Sequence, residues 1–281
     1  MLKRTFSTLF LWSIIGLLLY FGGVYAGVYL ITILSTLTQL ELYQLLRKIG
    51  HIPYSLIGLS IGVLLMLGTW YVPLYGYASP ASFILLVLTL TVLVLSISLL
   101  FRPCKPGLPI PLMPTLFGIV LVPFFLQFFI QIVFNYACLG EASRGIMLVL
   151  WFVATAKFSD IGGLLVGKVI GKHKMAPIIS PNKTWEGALG GLAFSIGLGF
   201  AVFKVLNIYL PLNFTALKAI AFALPISLLA IVSDLVQSAL KRQAQAKDSG
   251  CLIPGIGGAF DLTDSLILTA PLAYGLSLLY L

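Results

Sequence analysis

Long apolar runs separated by short polar segments make up most of the sequence. A membrane-spanning helix needs about 20 predominantly apolar residues. Nine runs meet this requirement, at 6–22, 23–43, 52–72, 80–101, 114–134, 145–166, 187–207, 214–238 and 262–281. We expect the first run to be kept rather than cleaved as a signal peptide, because further spans follow it. The pattern therefore predicts an all-α, polytopic membrane protein with about nine transmembrane helices, the first two joined as a hairpin at Gly22-Gly23.

Composition excludes the main classes of soluble protein. Of the 281 residues, 60% are hydrophobic and 9% are charged, whereas a typical soluble domain has about 25% charged residues. The formal net charge is +9, which in a soluble protein would suggest a nucleic-acid ligand. Here the basic residues lie in short loops between apolar runs, so we assign this charge to orientation in the lipid bilayer and expect no nucleic-acid partner.

The distribution of Lys and Arg predicts the orientation of the chain. With the N-terminus in the cytoplasm, 13 basic residues lie on the cytoplasmic side and three, Arg144, Lys204 and Lys218, lie at the outer ends of spans. Such an excess is typical of cytoplasmic loops. Two long polar loops, 167–186 and 239–261, are then cytoplasmic. We therefore divide the chain into 1–140, with about five spans, and 141–281, a catalytic region that carries both loops.

The densest group of polar residues surrounds the loop 239–261. Six of the eight carboxylates of the chain lie between residues 160 and 264. Asp234, Ser238 and Lys241 recur at i, i+4 and i+7, which places them on one face of a helix. The glycines of the segment 254–258 let a backbone approach a ligand closely. This loop is therefore the first place to look for a binding site.

Asp261 and Asp264 follow the glycine-rich segment at i and i+3, where we expect them to open the last span. Aspartates without a nearby thiol or imidazole are hard oxygen ligands that suit Mg²⁺. Lys241 and Arg242 are groups that a phosphate-rich substrate requires. Together they point to phosphoryl or nucleotidyl transfer. The alternative is that either aspartate only caps a helix and that the basic pair reflects the cytoplasmic excess of positive charge.

A second polar group lies between residues 157 and 187. Lys157 and Asp160 are one helical turn apart inside a span, where an internal ion pair is the simplest alternative to a catalytic role for Asp160. Residues 180–184 have turn chemistry followed by a helix start, with Thr184 as the N-cap. A helix N-terminus preceded by Asn182 and Lys183 is a candidate anion site.

The first 140 residues carry little candidate chemistry. Glu41, beside Arg47 and Lys48, is most simply an interfacial ion pair. There is no internal repeat of 20–50 residues and no inverted symmetry, which weighs against a transporter. A transporter would also place carboxylates near the middle of several spans, whereas those of this chain cluster at cytoplasmic ends and in loops.

Two separated motifs resemble one known family. They are Gly-Lys-His-Lys…Ser-Pro-Asn-Lys-Thr-Trp-Glu-Gly at 171–187 and Ser-x-x-Lys-Arg-x4-Lys-Asp-x-Gly…Pro-Gly-x-Gly-Gly-x-x-Asp-x-x-Asp at 238–264. These motifs and their spacing resemble the bacterial-type phosphatidate cytidylyltransferases (CDP-diacylglycerol synthases), and the clear resemblance covers about 150–281. The chain departs from the usual family pattern at Ile256 (histidine), Leu262 (arginine), Ser233 (glycine) and Gln237 (glutamate).

The resemblance implies an enzyme of phospholipid biosynthesis that condenses CTP with phosphatidic acid, giving CDP-diacylglycerol and pyrophosphate with Mg²⁺. It implies metal binding by Asp234 and Asp261, with Asp264 and Asp160 as further candidates and a second cation as an option. The implied catalytic residues are Asp234, Asp261, Asp264, Lys241 and Arg242. The implied substrate-binding residues are Ser180, Asn182, Lys183, Thr184, Ser238, Lys247, Asp248, Gly257 and Gly258.

The same resemblance implies a multi-pass protein of the inner (plasma) membrane whose active site faces the cytoplasm. A homodimer is one option for its assembly. Two other functions stay open: a CTP-dependent lipid kinase, which needs the same metal and basic groups, and a degenerate paralogue without turnover, which the departures at Ile256 and Leu262 motivate. The kinase would release CDP, whereas the cytidylyltransferase would release pyrophosphate.

Overall fold

A computed structural model describes residues 2–101, 110–250 and 257–280 of the protein. Over these ranges the chain is mostly helical, and seven helical stretches are long and apolar enough to cross a membrane. They are Trp12–Lys48, Ser55–Leu74, Pro80–Leu100, Leu112–Cys138, Ala142–Ile170, Trp185–Leu206 and Ala216–Gln243. The chain is therefore a polytopic membrane protein, and the count of nine spans stays a prediction.

The elements in the described ranges follow one another in this order: α1 (Leu2–Lys48), α2 (Ser55–Leu74), α3 (Pro80–Leu100), α4 (Leu112–Leu121), α5 (Pro123–Cys138), α6 (Ala142–Ile170), β1 (Lys174–Ala176), β2 (Ser180–Thr184), α7 (Trp185–Leu206), α8 (Ala216–Gln243), α9 (Ala259–Leu262) and α10 (Thr269–Tyr280). The strands β1 and β2 pair antiparallel, with Lys174 opposite Thr184 and Ala176 opposite Ser180. This small hairpin in the loop 167–186 is the one departure from an all-α fold in the part of the chain described.

The predicted boundary between the first two spans falls at a break in α1, and the last predicted span needs correction. The backbone of α1 leaves helical geometry at Gly23, with φ 54° and ψ −136°, a conformation that glycine adopts readily. The first two runs therefore meet at a break inside one long element. The last run is not a single helix, because α10 has 12 residues and is about 18 Å long, shorter than the roughly 30 Å apolar core of a bilayer. Asp261 and Asp264 precede α10 and do not open it.

The chain forms two compact units that alternate along the sequence. The first contains residues 1–131 and 243–262, and the second contains residues 132–242 and 263–281. The division at residue 140 expected from spans and loops stays a prediction. Ile256, Arg102 and Lys105 lie outside the described residues.

The core of the first unit contains a polar network around Tyr43, which is 1% exposed. Its hydroxyl donates to the Thr115 carbonyl oxygen at 2.9 Å and accepts from Gln39 Nε2 at 3.0 Å. Gln39 Nε2 also donates to the Gly58 carbonyl oxygen at 3.0 Å. Because buried polar groups need partners, these bonds fix α1 against α2 and α4 and thereby place the end of α1 that carries Glu41.

In the second unit, α6 and α7 approach each other through small residues. Gly187, Gly191 and Ser195 recur every four residues along α7. Ser195 Oγ donates to the Thr155 carbonyl oxygen at 2.8 Å. A Cβ atom at Gly191 would lie 2.6 Å from the Ser159 carbonyl oxygen. Small residues at this spacing allow membrane helices to pack backbone to backbone, so the middle of α6 is held tightly against α7.

Gly191→Ala is therefore expected to destabilise the protein by about 1–3 kcal/mol, because the added methyl overpacks the α6–α7 contact. Gly197→Ala on the same helix is the matched control, since a Cβ there meets nothing within 4 Å. Thermal unfolding of the two purified variants in one detergent measures the difference. Equal midpoints for the two variants would contradict the packing described for α6 and α7.

Candidate functional site

Lys157 lies between two carboxylates of the second unit. Its Nζ is 2.8 Å from Asp264 Oδ1 and 3.7 Å from Asp160 Oδ2. The ion pair predicted within α6 is confirmed, but the shorter contact is to Asp264, which is 107 residues away in sequence. The three side chains are between 20% and 27% exposed. A lysine inside a membrane-spanning helix is thus paired on two sides and partly withdrawn from water.

The turn segment 263–268, which carries Asp264, is tied to α8. Ser233 Oγ donates to the backbone carbonyl of Asp264 and accepts from the Leu268 N–H at 3.4 Å. Gln237 Nε2 donates to the Thr263 carbonyl oxygen at 3.2 Å. Ser233 and Gln237 are 0% and 2% exposed. These two residues therefore fix the position of Asp264.

A second ion pair joins β2 to α8. Lys183 Nζ is 2.7 Å from Asp234 Oδ2. Ser238 Oγ donates to Asp234 Oδ1 at 3.3 Å, which confirms that these two residues share a helix face. Ser233, the neighbour of Asp234 on α8, binds the backbone carbonyl of Asp264, so the two ion pairs lie beside each other. We call them together the ion-pair cluster, which consists of Lys157, Asp160, Lys183, Asp234 and Asp264.

The β-hairpin holds further predicted residues beside this cluster. Thr184 Oγ1 accepts from the Gly187 N–H at 3.1 Å, which confirms its prediction as the N-cap of α7. Arg242 Nε donates to the Ile179 carbonyl oxygen at 3.1 Å, so the end of α8 contacts the tip of the hairpin. Two other predicted residues lie in β2, where Ser180 is half-buried and Asn182 is exposed. Lys241 lies in the last turn of α8.

An apolar groove of about 420 Å³ lies in the same unit. It is lined by residues of β1, α7, α8 and α10, among them Trp185, Leu189, Leu228 and Ile231. The carbonyl oxygen of Ile231 also accepts from Lys183 Nζ at 3.4 Å. A wholly hydrophobic groove is therefore adjacent to one lysine of the ion-pair cluster.

In the first unit, the carboxylate of Glu41 accepts hydrogen bonds from Ser249 and from the first two residues of α9. Oε2 accepts from Ser249 Oγ at 2.6 Å and from the Phe260 N–H at 2.9 Å. Oε1 accepts from the Ala259 N–H at 2.9 Å. Glu41 is 7% exposed. The interfacial ion pair predicted for Glu41 with Arg47 and Lys48 is therefore wrong, because the buried carboxylate is bound by hydroxyl and backbone donors.

Asp261 belongs to the same hydrogen-bonded group. Its Oδ2 accepts from the Ser249 N–H and from the Gly258 N–H, each at 3.0 Å, and also lies 3.0 Å from Ser249 Oγ. Gly257 has φ 121°, a value that L-residues rarely adopt. A Cβ at Gly258 would clash with both oxygens of Glu41. Gly257 and Gly258 therefore leave space for the carboxylates of Asp261 and Glu41. The predicted substrate-binding residues Lys247 and Asp248 are exposed.

Metal binding by these residues stays a prediction. In the ranges 2–101, 110–250 and 257–280, no three His, Cys, Asp or Glu side chains lie close enough together to hold an ion. Asp234 belongs to the second unit and Asp261 to the first. Their predicted pairing on one metal ion is therefore left as a hypothesis from the sequence.

Comparison with known proteins identifies the family. The profile of the Cytidylyltransferase family matches residues 2–280. The chain belongs to this family. A phosphatidate cytidylyltransferase of Staphylococcus aureus (strain COL) is 38% identical over 130 residues, 46% of this chain and 48% of that protein. A phosphatidate cytidylyltransferase of Staphylococcus saprophyticus is 36% identical over 130 residues, with the same two shares.

A third relative carries no assigned activity. The uncharacterized protein YnbB of Escherichia coli (strain K12) is 41% identical over 130 residues, 46% of this chain and 42% of that protein. The chain spans about half the length of the curated relatives it matches.

Two features of this cytidylyltransferase-family site were missed by sequence reasoning. The pairing of Lys157 with Asp264 was not predicted. A lysine inside a span is costly without negative partners, and this cost was the available sign of a second carboxylate. The contact of Glu41 with Ser249 joins residues 208 positions apart, and no local pattern encodes such a distance. The one sign in the sequence that Glu41 has a structural role is that it is the only carboxylate among the first 140 residues.

Proposed function

We propose that this protein transfers the cytidylyl group of CTP to phosphatidic acid, forming CDP-diacylglycerol and pyrophosphate. Membership of the Cytidylyltransferase family and the names of two relatives support this substrate pair. The observation that carries the proposal is the ion-pair cluster, because it combines ammonium and carboxylate groups inside a polytopic membrane protein. Intramembrane ionisable groups of this kind are usually functional.

The cluster suits a reaction between two anions. Phosphatidate and the triphosphate of CTP repel each other, and nearby ammonium groups lower that repulsion. Lys157 and Lys183 are each held by carboxylates at 2.8 Å and 2.7 Å, so their positions are fixed before substrate arrives. We propose that Lys183 exchanges part of its contact with Asp234 for a substrate phosphate, with Lys241 and Arg242 holding other phosphate oxygens.

The apolar groove supports a lipid as one of the substrates. Its lining is hydrophobic, its volume of about 420 Å³ lies in the range of ligand pockets, and Ile231 connects it to Lys183. A lipid whose tail lies in an apolar environment while its phosphate meets a lysine matches this arrangement. Phosphatidate has both parts, whereas a free nucleotide has no apolar tail that the groove could bind.

The proposed chemistry is a direct displacement. An oxygen of the phosphatidate phosphate forms a bond to the α-phosphorus of CTP, and the bond from that phosphorus to the bridging oxygen of the β-phosphate breaks. The electron pair leaves with pyrophosphate. The attacking phosphate is already ionised at neutral pH, so the proposal assigns no residue as a general base. The role of the chain is to place the two phosphates and to offset their charge.

Mg²⁺ is usually held by one or two protein carboxylates together with substrate phosphates. No three acidic, His or Cys side chains of the described residues are grouped to hold an ion by themselves, so we propose that Asp234 and Asp264 in the second unit would hold Mg²⁺ together with substrate phosphates. Asp261 remains the ligand predicted from the sequence motif. When bound, Mg²⁺ would supply positive charge that offsets the negative charge developing on pyrophosphate.

We also propose that the protein lies in the inner (plasma) membrane, that its N-terminus is cytoplasmic, and that the site faces the cytoplasm. This orientation gives CTP access from the aqueous side while the diacyl tails stay in lipid. The excess of Lys and Arg in the predicted cytoplasmic loops supports it. The homodimer is kept as a hypothesis that the substrate assay does not depend on.

Product analysis distinguishes the proposal from its rival. Purified protein incubated with CTP, phosphatidate, a polyprenol and Mg²⁺ should release pyrophosphate and form CDP-diacylglycerol in equal amounts. A lipid kinase would instead release CDP and phosphorylate an alcohol such as a polyprenol. Release of CDP with no pyrophosphate would overturn the cytidylyltransferase proposal.

A further inference from the structure

The buried carboxylate of Glu41 makes hydrogen bonds that the proposed reaction does not explain. It lies on α1, far in sequence from both motifs that resemble the family. Three donors bind its two oxygens: the hydroxyl of Ser249 and the backbone N–H groups of Ala259 and Phe260, at distances between 2.6 and 2.9 Å. Hydrogen bonds to a charged acceptor are roughly twice as strong as those between neutral groups. Glu41 is therefore a fixed anchor for this segment and not a freely available ligand.

The shape of the segment fits this anchor closely. A Cβ at Gly250 would lie 2.7 Å from Glu41 Oε1, and one at Gly258 would clash with both carboxylate oxygens. Gly250 and Gly258 thus leave space for the carboxylate of Glu41, and a side chain at either position would displace it.

Ser249 connects this anchor to Asp261. Its hydroxyl lies 2.6 Å from Glu41 Oε2 and 3.0 Å from Asp261 Oδ2. Its one hydroxyl proton can be donated to only one of them at a time. The Ser249 N–H also donates to Asp261 at 3.0 Å. Any movement of Ser249 away from Glu41 therefore moves the donors that orient the Asp261 carboxylate.

We propose that Glu41 is a positioning residue that sets the orientation of Asp261 through Ser249 and the start of α9. This inference rests on the proposed function in one respect, because a predicted role of Asp261 in catalysis makes its orientation matter for turnover. The geometric part stands alone: without the Glu41 carboxylate, the amides of Ala259 and Phe260 lose their acceptor and the segment opens.

Glu41→Gln tests the geometric part by hydrogen–deuterium exchange. Glutamine keeps the size of glutamate but replaces one acceptor oxygen by an NH₂ donor, which faces N–H or O–H donors. The amides of residues 259–261 should exchange at least about tenfold faster in the variant. Glu141→Gln is the matched control, because Glu141 forms a half-buried ion pair with Arg144 at 2.8 Å in the other unit. Unchanged exchange of these amides in Glu41→Gln would overturn the inference.

Kinetics test the consequence for turnover. Glu41→Gln should lower kcat at least about tenfold while the KM for CTP changes less than about threefold, because an interaction that matters only for the productive arrangement acts on kcat. Ser249→Ala should lower kcat as well, and the double variant should be no slower than the slower single variant, since residues of one network are not additive. Independent, multiplying effects would contradict a shared path to Asp261.

The two failures are distinguishable. If wild-type protein makes no CDP-diacylglycerol, the proposed function fails while the exchange experiment still decides whether Glu41 holds the segment. If wild-type protein is active and Glu41→Gln matches its kcat, the positioning role for Asp261 is overturned and the proposed function stands. Normal folding of the variant is checked by its elution as a single species and its helical circular dichroism.

Discussion

Asp234→Asn is expected to lower the turnover of CTP and phosphatidate about 100- to 1,000-fold, a loss typical of removing one preorganised electrostatic group from an active site. Asparagine has nearly the same shape as aspartate, so Ser238 keeps a partner at this position. Lys183, however, loses the carboxylate that lies 2.7 Å from its ammonium group. We expect the lysine to lose its fixed position and the site to lose a candidate metal ligand. Steady-state rates of CDP-diacylglycerol formation, normalised to folded protein, measure the effect.

Glu141→Gln is the control for this substitution. It also neutralises one carboxylate of an ion pair in the second unit, but Glu141 precedes α6, and Asp160 lies about 27 Å further along that helix by its residue rise. Its rate should remain within about twofold of wild type, because this ion pair lies far from the ion-pair cluster along α6. If Asp234→Asn and Glu141→Gln were equally active, the ion-pair cluster would have no part in catalysis.

Lys157→Met is expected to lower both stability and activity. Removing the ammonium group leaves the carboxylates of Asp160 and Asp264 close together with no cation between them. Breaking such a pair from one side costs about 3 kcal/mol or more where the groups are withdrawn from water. The side chain of Lys157 is 25% exposed, so water offsets only part of this loss. The unfolding midpoint in detergent and the rate per folded molecule both measure the effect.

A second substitution separates charge repulsion from loss of packing. Lys157→Met combined with Asp264→Asn removes one of the two opposed carboxylates, so part of the lost stability should return, while activity should not. If Lys157→Met unfolded at the wild-type midpoint, the proposed balance of charges in the cluster would be wrong.

The membrane fold was accessible from the sequence because it depends on local, repeated signals. Apolar runs of about 20 residues give the long helices, and Thr184 gives the N-cap of α7 through a short-range side-chain bond. The Lys157–Asp160 ion pair follows in the same way from a spacing of three residues. These features depend on neighbours in the chain, so a single sequence contains the information needed.

Other features depend on contacts between distant segments. The last helix begins at Thr269 because the preceding turn is tied to α8 by Ser233 and Gln237, and hydropathy alone does not register those bonds. Glu41 lies beside two bases in sequence, which favoured a local ion pair, yet the fold buries its carboxylate under backbone donors from the other end of the chain. Local patterns therefore predict which residues are polar and unusual, but not which of them meet.

The most direct test of the proposed function follows the label of CTP. Purified protein in detergent with phosphatidate and a polyprenol is given CTP labelled at the α-phosphate in one reaction and at the γ-phosphate in another, with Asp234→Asn as the inactive reference. We predict that the α-label enters the lipid fraction as CDP-diacylglycerol, that the γ-label is recovered in pyrophosphate, and that the variant does neither at a comparable rate. Transfer of the γ-label to lipid, with the α-label left in CDP, would contradict cytidylyl transfer and establish a kinase.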